Sequence, residues 1–236
     1  METMINTTVN TTKYSTGGIL NKINEMYFCN AKNNTVAIVK LIQHHKPKTW
    51  NEVERLIESH QDGHEHANCS CGAKSKGTIK TFAKRLHDSV IKYEEKTGTS
   101  VNKSEEDCYN FMYGLFVVSS LKGAAMELNA ISELNKAGQL YDIIEKSSEE
   151  QDFKMGIDLV LRTIDKEIAG VQVKPSGYKL LSDKGEVVRR NNDKELLFGK
   201  PVVYLYYDVK TSEFLNMNEV ISELNMISES YMMNQR

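Results

Sequence analysis

Apolar residues in the first half of the chain recur mainly at helical spacing. Thr49 and Glu52 match a capping box, in which the Thr hydroxyl and the Glu carboxylate satisfy free N–H groups at a helix start. This match predicts a helix from Trp50 to about Gln61. Between Thr78 and Gly98, a second amphipathic helix is predicted from the spacing of Ile79, Phe82, Ala83, Leu86, Val90 and Ile91.

Helical spacing continues beyond residue 100. Ser104 and the acidic residues after it open an apolar helical region that covers Tyr109 to Val118. Ser119 or Ser120 is expected to cap a further helix that ends near Gly138.

Two stretches of the first half lack this periodicity. The first 35 residues are rich in Asn and Thr and predict no firm element before the apolar run from Val36 to Ile42, so we expect an arm or a loop there. Residues 60–77 are rich in His, Cys, Gly and Lys and predict another loop.

The pattern changes after residue 138. Short runs rich in Val, Ile, Leu and Tyr, the composition of strands, cover Leu140 to Ile144, Ile157 to Thr163, Ile168 to Val173 and Val202 to Tyr207. The charged segment from Leu180 to Leu197 is ambiguous, and the residues from Asn218 to Met233 return to helical spacing. The order predicts an α/β core preceded by a helical N-terminal part.

Length, composition and charge limit the class of protein. A chain of 236 residues can bury one sizeable core with a smaller subdomain, and we expect one compact unit. We found no apolar stretch of the roughly 18 residues that a membrane span needs and no signal-peptide pattern, so we expect a cytoplasmic protein without a membrane partner. Because the net charge is −2, any DNA binding must come from local clusters of Lys and Arg.

Two neighbouring predicted strands carry the polar residues with the clearest chemistry. Because side chains alternate between the faces of a strand, Gln172 and Lys174 point one way while Val171 and Val173 point into the core. If the two strands form a hairpin, Asp158 lies beside Gln172 and Lys174. A carboxylate and an amide oxygen are hard ligands suited to Mg²⁺, and an ammonium group beside the ion stabilises charge on a phosphate. We take these as the parts of a phosphodiester hydrolase.

Glu127 is the fourth candidate for this site. It lies three residues after Ala124 and four before Ile131, so the carboxylate falls within the apolar stripe of its predicted helix. A buried carboxylate needs a partner, and a metal ion is a suitable one. The alternative is that Asp158 and the Gln-x-Lys pair are solvated surface residues, since neither feature is specific alone.

The order of Glu127 on a helix, Asp158 on one strand, and Gln172 and Lys174 on the next resembles the core of PD-(D/E)XK nucleases over about residues 119–210. The resemblance implies an α/β fold with a mixed central sheet flanked by helices. It also implies a helical N-terminal subdomain for DNA recognition over residues 1–118 and a nuclease core over residues 119–236. The layout of the whole chain is similar to that of MjaI-type restriction enzymes.

The resemblance also assigns roles. Asp158 would bind Mg²⁺, with Gln172 or the backbone carbonyl of Val173 and with Glu127, and Lys174 would be catalytic. The sequence departs from the family pattern at Gln172, where the usual residue is Glu or Asp, and the Gln-x-Lys form is similar to the Mrr-like branch. Cutting of double-stranded DNA at a short palindrome implies a homodimer.

A second group of candidate ligands lies in the loop over residues 60–77. Five residues within twelve positions could bind Zn²⁺: His60, His64, His66, Cys69 and Cys71. We expect His64, Cys69 and Cys71 as the first three ligands and His60 or His66 as the fourth. The alternative is an ordinary polar loop, because Cys-x-Cys is tighter than the usual spacing of a zinc finger.

Basic residues next to this loop are candidates for contacts with DNA phosphates: Lys74, Lys76, Lys80, Lys84 and Arg85. Lysines around the start of a helix are a natural phosphate contact, although Lys-rich helix faces are often merely solvated. The weaker candidates are His44, His45 and Lys46.

Two other functions stay open at this point. An Mrr-like or repair nuclease that acts on modified or branched DNA would share the same four site residues. A non-catalytic, zinc-containing DNA-binding protein would keep the loop over residues 60–77 and would bind DNA without cutting it.

Overall fold

The computed structural model describes residues 11–27, 36–61, 69–137, 143–163, 166–178 and 185–234. The chain forms two compact units, Met1–Ala124 and Ala125–Arg236, rather than the single unit expected from its length. Each unit has its own hydrophobic core. The division of roles between a recognition region over residues 1–118 and a nuclease core over residues 119–236 concerns function and stays a prediction.

The described part of the first unit is mainly helical, with helices α1 (Gly18–Met26), α2 (Ile38–His45), α3 (Trp50–Ser59), α4 (Ile79–Thr97) and α5 (Glu105–Tyr113). The predicted capping box of Thr49 and Glu52 is confirmed. Thr78 and Ser104 cap α4 and α5 in the same way, because each hydroxyl accepts a hydrogen bond from the N–H three residues later. The apolar stripe predicted on α4 is buried except for Ile91.

Helix α1 lies in the stretch for which the sequence predicted no firm element. It is nine residues long, which is shorter than the window over which helical periodicity can be judged. Leu20 and Ile23 are buried in the core of the first unit. Because short helices are marginal without tertiary packing, this burial stabilises α1 more than its local sequence does.

Helix α5 continues without a break into the next helix, through the π-helical turn Gly114–Val118 and α6 (Ser119–Lys136). The predicted cap at Ser119 or Ser120 is therefore wrong, since both residues are helical. Gly114 allows the turn to pass close to another part of the backbone: a Cβ atom there would lie 2.3 Å from the carbonyl oxygen of Tyr14.

The continuous helix from Glu105 to Lys136 is the one segment of the described residues that is long and apolar enough to cross a membrane. Several of its apolar side chains belong to the cores of the two units, whereas Leu128 is exposed. Phe111, Met112 and Val117 lie in the first core, and Met126, Ala130 and Leu134 lie in the second. Burial in these cores accounts for part of the apolar composition of this helix.

The second unit is built on a four-stranded mixed sheet, with β1 (Ile143–Lys146), β2 (Leu159–Arg162), β3 (Glu167–Pro175) and β4 (Val202–Tyr207) in that order. Strands β1, β2 and β3 are antiparallel neighbours, so the predicted hairpin is confirmed, and β4 is parallel to β3. The ambiguous segment before β4 contains helix α7 (Gly185–Phe198), and α8 (Met217–Met233) follows β4.

Helices cover both faces of this sheet. Residues of α6 and α8, such as Leu134 and Leu224, pack in one core with Val171 and Val173 of β3. Phe198 of α7 packs against Ile157 and Val160 in a separate cluster. The predicted α/β fold, with a mixed central sheet flanked by helices, is confirmed.

Two asparagine side chains occupy the outer edges of the sheet. Asn135 of α6 donates a hydrogen bond to the carbonyl oxygen of Ile144 in β1 at 2.8 Å. The side-chain oxygen of Asn135 accepts one from the N–H of Ile144 at 3.0 Å. Asn216, just before α8, accepts from the N–H of Tyr206 at 2.8 Å and donates to the carbonyl of Tyr204 at 2.9 Å. Each amide therefore satisfies edge-strand groups that would otherwise be open to pairing with another chain.

We expect Asn216→Ala and Asn135→Ala each to lower the free energy of unfolding by about 1–3 kcal/mol, because each leaves one N–H and one C=O of an edge strand without its partner. Urea denaturation followed by circular dichroism measures this change. Asn218→Ala, at an exposed position of α8, serves as the control and should change the value by less than about 0.5 kcal/mol. Equal effects of all three substitutions would contradict the edge-capping role.

Candidate active site

The carboxylate of Asp158 is fixed at the start of the hairpin formed by β2 and β3. One oxygen, Oδ2, accepts hydrogen bonds from the backbone N–H of Val173 at 2.7 Å and from Nζ of Lys174 at 2.8 Å. The residue is only 5% exposed. The charge of a buried carboxylate is compensated here by an ion pair and by a backbone donor, as such groups require.

The backbone of Asp158 is held as firmly as its side chain. Its N–H donates to the carbonyl of Val171 on β3 at 3.1 Å. On the other side, the hydroxyl of Ser147 donates to the carbonyls of Ile157 and Asp158, at 2.5 and 3.1 Å. Ser147 is buried at the end of β1, and the sequence analysis did not identify it.

Gln172 lies where strand alternation places it, while Val171 and Val173 lie in the core. It is 3% exposed, and its Nε2 donates to the hydroxyl of Tyr204 at 3.4 Å. That hydroxyl in turn donates to Glu195 of α7 at 2.8 Å, so its oxygen is the acceptor for the Gln172 amide. This chain of hydrogen bonds orients the Nε2 group of the amide toward Tyr204. Burial and the bond to Glu195 raise the pKa of Tyr204.

Glu127 of α6 forms an ion pair with Lys146 at the end of β1. Lys146 also lies 3.9 Å from Asp152. Burial raises the pKa of Glu127, the negative charge of Asp158 raises it further, and Lys146 opposes both effects. Glu127 is therefore close enough to Asp158 for the two charges to interact.

Tyr207 is a further member of this group. It ends β4 and is 6% exposed. Burial and the negative charges of Glu127 and Asp158 raise the pKa of Tyr207 to about 12. The neutral phenol thus lies within electrostatic range of both carboxylates.

The sequence analysis missed Lys146, Asp152 and Tyr207. Lys146 could have been found by the criterion used for Lys174, because it is a basic residue at the end of an apolar strand. Alternation along β4 places Tyr207 on the same face as Val203 and Leu205, so its burial could have been predicted, but only the fold shows that it lies near Glu127 and Asp158.

The donor atoms of this group fit a divalent cation. Asp158 and Glu127 supply carboxylates, and Gln172 supplies an amide oxygen; Mg²⁺ prefers such oxygen ligands. Burial is the main cause that raises the pKa of Glu127, with a further contribution from the charge of Asp158, and a bound cation would favour the ionised form of this carboxylate. The structure pairs Asp158 with Lys174, places Glu127 within electrostatic range of Asp158, and places Gln172 on the same face of β3 as Lys174. Their roles in a metal site stay a prediction.

The first unit contains the second group of candidate ligands. Cys69, Cys71 and His60 come together as expected, and their fourth neighbour is His45 at the end of α2. His64 and His66 lie outside the described residues. The sequence analysis had placed His45 only among the weaker candidates for DNA contact.

The basic residues beside this loop divide into two kinds. Lys74, Lys76, Lys80 and Lys84 are exposed, around the N-terminus of α4. Arg85 is half-buried and donates to the carbonyl of Lys76 at 3.1 Å, with its guanidinium 5.6 Å from the ring centroid of Phe82. Arg85 therefore attaches the loop to α4, whereas the four lysines present their charge to solvent.

Comparison with known protein families assigns the chain to a family. The family described as MjaI restriction endonuclease matches residues 17–225, a range that contains the candidate residues of both units. We found no match among curated proteins or solved structures. The match extends over far more than half of the chain, and it confirms the resemblance drawn from the sequence. The chain belongs to the MjaI restriction endonuclease family, whose members are nucleases that act on DNA.

Proposed function

We propose that this protein is a cytoplasmic type II restriction endonuclease that hydrolyses double-stranded DNA at a short palindromic site with Mg²⁺. The observation that carries the proposal is the buried Asp158, paired with Lys174 at 2.8 Å and within electrostatic range of Glu127. Two carboxylates that interact with each other, one of them paired with an ammonium group, are parts that phosphodiester hydrolysis needs.

Asp158 and Glu127 would hold the Mg²⁺ ion, with the Gln172 amide or the Val173 carbonyl as a further oxygen ligand. When bound, the ion supplies positive charge to the scissile phosphate and lowers the pKa of a coordinated water. The ion pair with Asp158 requires the ammonium form of Lys174, and this favours a role for Lys174 in stabilising negative charge on a phosphate oxygen over a role as the base.

The hydrogen bonds from Gln172 to Tyr204 and from Tyr204 to Glu195 link this site to helix α7. Gln172 replaces the acidic residue usual at this position, so the site has one negative charge fewer. The hydrogen bond to Tyr204 gives the neutral amide a fixed orientation, and a fixed ligand loses less freedom when it binds an ion. Lys146 balances the charge of Glu127.

Cutting both strands of a palindrome requires two active sites related by a two-fold axis, so we propose that the protein acts as a homodimer. Each subunit would provide one Asp158–Lys174 site.

Lys174→Ala should reduce DNA cleavage by at least about 100-fold, because the positive charge beside the phosphate is lost. The assay is incubation of wild type and variant with unmethylated phage DNA in Mg²⁺ or in EDTA, followed by electrophoresis. Lys154→Ala removes an exposed lysine of the same unit and should cut like the wild type.

Discrete fragments that depend on Mg²⁺ and on Lys174 would support a sequence-specific nuclease. If wild type leaves this DNA intact but cuts modified or branched DNA, the palindromic substrate is wrong and an Mrr-like activity takes its place. If no DNA is cut by any variant, the catalytic proposal fails.

Mg²⁺ affinity should fall as the pH is lowered through the pKa of Glu127, which lies above the ordinary glutamate value. The reason is that only the ionised carboxylate binds the ion, and burial and Asp158 favour the protonated form. Isothermal titration calorimetry over a pH series measures this dependence. Glu127→Gln should bind Mg²⁺ more weakly and with a flatter pH profile, whereas Glu133→Gln, exposed on the same helix, should not.

We also propose that the lysines around the N-terminus of α4 contact DNA phosphates. The cleft in the same unit, about 520 Å³ in volume and lined by Lys46, Lys48 and Arg55, adds further positive charge. A helix N-terminus with lysines attracts phosphates through the free N–H groups and through charge.

Lys80→Ala with Lys84→Ala should weaken DNA binding at every sequence and reduce the slope of log affinity against log salt by about 1–2, at about 0.9 for each lost phosphate contact. Fluorescence anisotropy with Ca²⁺ in place of Mg²⁺ measures binding without cleavage. Lys92→Ala with Lys96→Ala, at exposed positions near the other end of α4, is the matched control. An unchanged slope in the first variant would show that these lysines form only a solvated face.

A further inference from the structure

Four side chains with metal-binding atoms meet in the first unit. His45 is the last residue of α2, His60 follows the end of α3, and Cys69 and Cys71 lie in the loop before α4. One ligand atom from each lies within 4.8 Å of the ligand atoms of all the others. Two imidazoles and two thiols are the donor set of many structural zinc sites.

The distances are close to those of a tetrahedral zinc site. The sulfur of Cys69 lies 3.6 Å from Nε2 of His45. With a Zn–S bond of about 2.3 Å and a Zn–N bond of about 2.0 Å, tetrahedral geometry places a sulfur and a nitrogen about 3.5 Å apart. The longest separations in the cluster, up to 4.8 Å, need only a small contraction of the loop.

The imidazole of His60 is already oriented as a ligand. It is fully buried, and its Nδ1 lies 2.8 Å from the carbonyl oxygen of Leu56. A carbonyl only accepts hydrogen bonds, so Nδ1 carries the proton and Nε2 carries the lone pair. Metal-bound histidines usually donate the other ring N–H to a carbonyl or a carboxylate in this way.

The loop around the two cysteines directs a backbone N–H group at one of the sulfurs. The N–H of Ala73 lies 3.4 Å from the sulfur of Cys71. Gly72 closes the turn, since its N–H donates to the carbonyl of Cys69 at 3.1 Å and its φ is +64°, a conformation that favours glycine. Donors of this kind stabilise thiolate ligands.

Disulfide formation does not account for the cluster, because both cysteines are free thiols. An ordinary polar loop does not account for it either, since such a loop has no need to bury His60 against two cysteines and a second histidine. The cluster draws its ligands from three elements that are distant in sequence.

We propose that His45, His60, Cys69 and Cys71 bind one Zn²⁺ ion in a closed structural site. Four protein ligands leave no open position for substrate, so the ion has a structural role rather than a catalytic one. The set differs from the one expected from the sequence, because His45 takes the place given there to His64.

The zinc ion would join the ends of α2 and α3 to the loop that leads into α4. The loop is then held on both sides, since the N–H of Ser75 also donates to the carbonyl of His60 at 3.0 Å. Lys74 and Lys76 belong to this loop. The ion would therefore fix the segment that presents these lysines, and it would do so whether or not the protein cuts DNA.

The first test is the metal content of the purified wild type by inductively coupled plasma mass spectrometry, with about one zinc per chain expected. His45→Ala, Cys69→Ala and Cys71→Ala should each lose most of the zinc. The matched controls His44→Ala and Cys108→Ala remove a neighbouring imidazole and a thiol outside the cluster, and they should retain it. His64→Ala and His66→Ala should also retain it.

A second measurement keeps the proposal testable if a ligand variant fails to fold. Wild type treated with a chelator should lose thermal stability, and Zn²⁺ but not Mg²⁺ should restore it. Co²⁺ in place of Zn²⁺ should give the intense visible bands of tetrahedral cobalt and a thiolate charge-transfer band.

Wild type without zinc and without a tetrahedral Co²⁺ spectrum would overturn the proposal. Full zinc in His45→Ala, together with loss of zinc in His64→Ala or His66→Ala, would overturn this ligand set. Neither result depends on nuclease activity.

Discussion

The hydrogen bonds of the Asp158 carboxylate are the constraint on which the second unit depends. They exist only in one register of β2 and β3, with Leu159 opposite Val171. A shift by one residue would turn Val171 and Val173 out of the core and bring Gln172 and Lys174 into it. The packing of the sheet and the geometry of the site therefore select the same pairing. This coupling lets a buried charged group persist in the fold, because the register that buries it also supplies its partners.

The candidate active site keeps polar side chains buried by linking them to one another and to the backbone. Ser147 ties β1 to the strand that carries Asp158, Tyr204 joins Gln172 to Glu195, and Lys146 balances Glu127. Each link satisfies a group whose burial alone would lower stability. Burial, and to a smaller extent the charge of Asp158, raise the pKa of Glu127 even though Lys146 pairs with it. A cation bound beside these two carboxylates would favour their ionised forms.

The first unit is stabilised by helix caps and by polar contacts of its loops. Three of its helices, α3, α4 and α5, begin with capping boxes that satisfy the first N–H groups locally. The loop before α4 has little apolar surface to bury, and it is held by polar contacts, by Arg85 and by the cluster of His45, His60 and the two cysteines. A metal cross-link suits such a loop, because its binding energy replaces the hydrophobic contacts that the loop lacks.

The sequence by itself determined the features that depend on neighbouring residues. The capping box at Thr49, the stripe of α4, the strands of the sheet and the alternation of Val173 and Lys174 follow from local chemistry and from the periods of helix and strand. The sequence also indicated the candidate residues Glu127 and Asp158, since the position of a polar residue within an apolar pattern is visible without a fold.

Only the tertiary structure decided the features that depend on packing between distant segments. Helix α1 is stabilised because Leu20 and Ile23 are buried in the core of the first unit. The turn between α5 and α6 can lie against the backbone of Tyr14 because Gly114 has no side chain. His45 joins the cysteines across 24 residues, and Lys146 meets Glu127 across 19. No local sequence pattern predicts these side-chain contacts, because residues distant in sequence are brought together by the burial of the apolar residues between them.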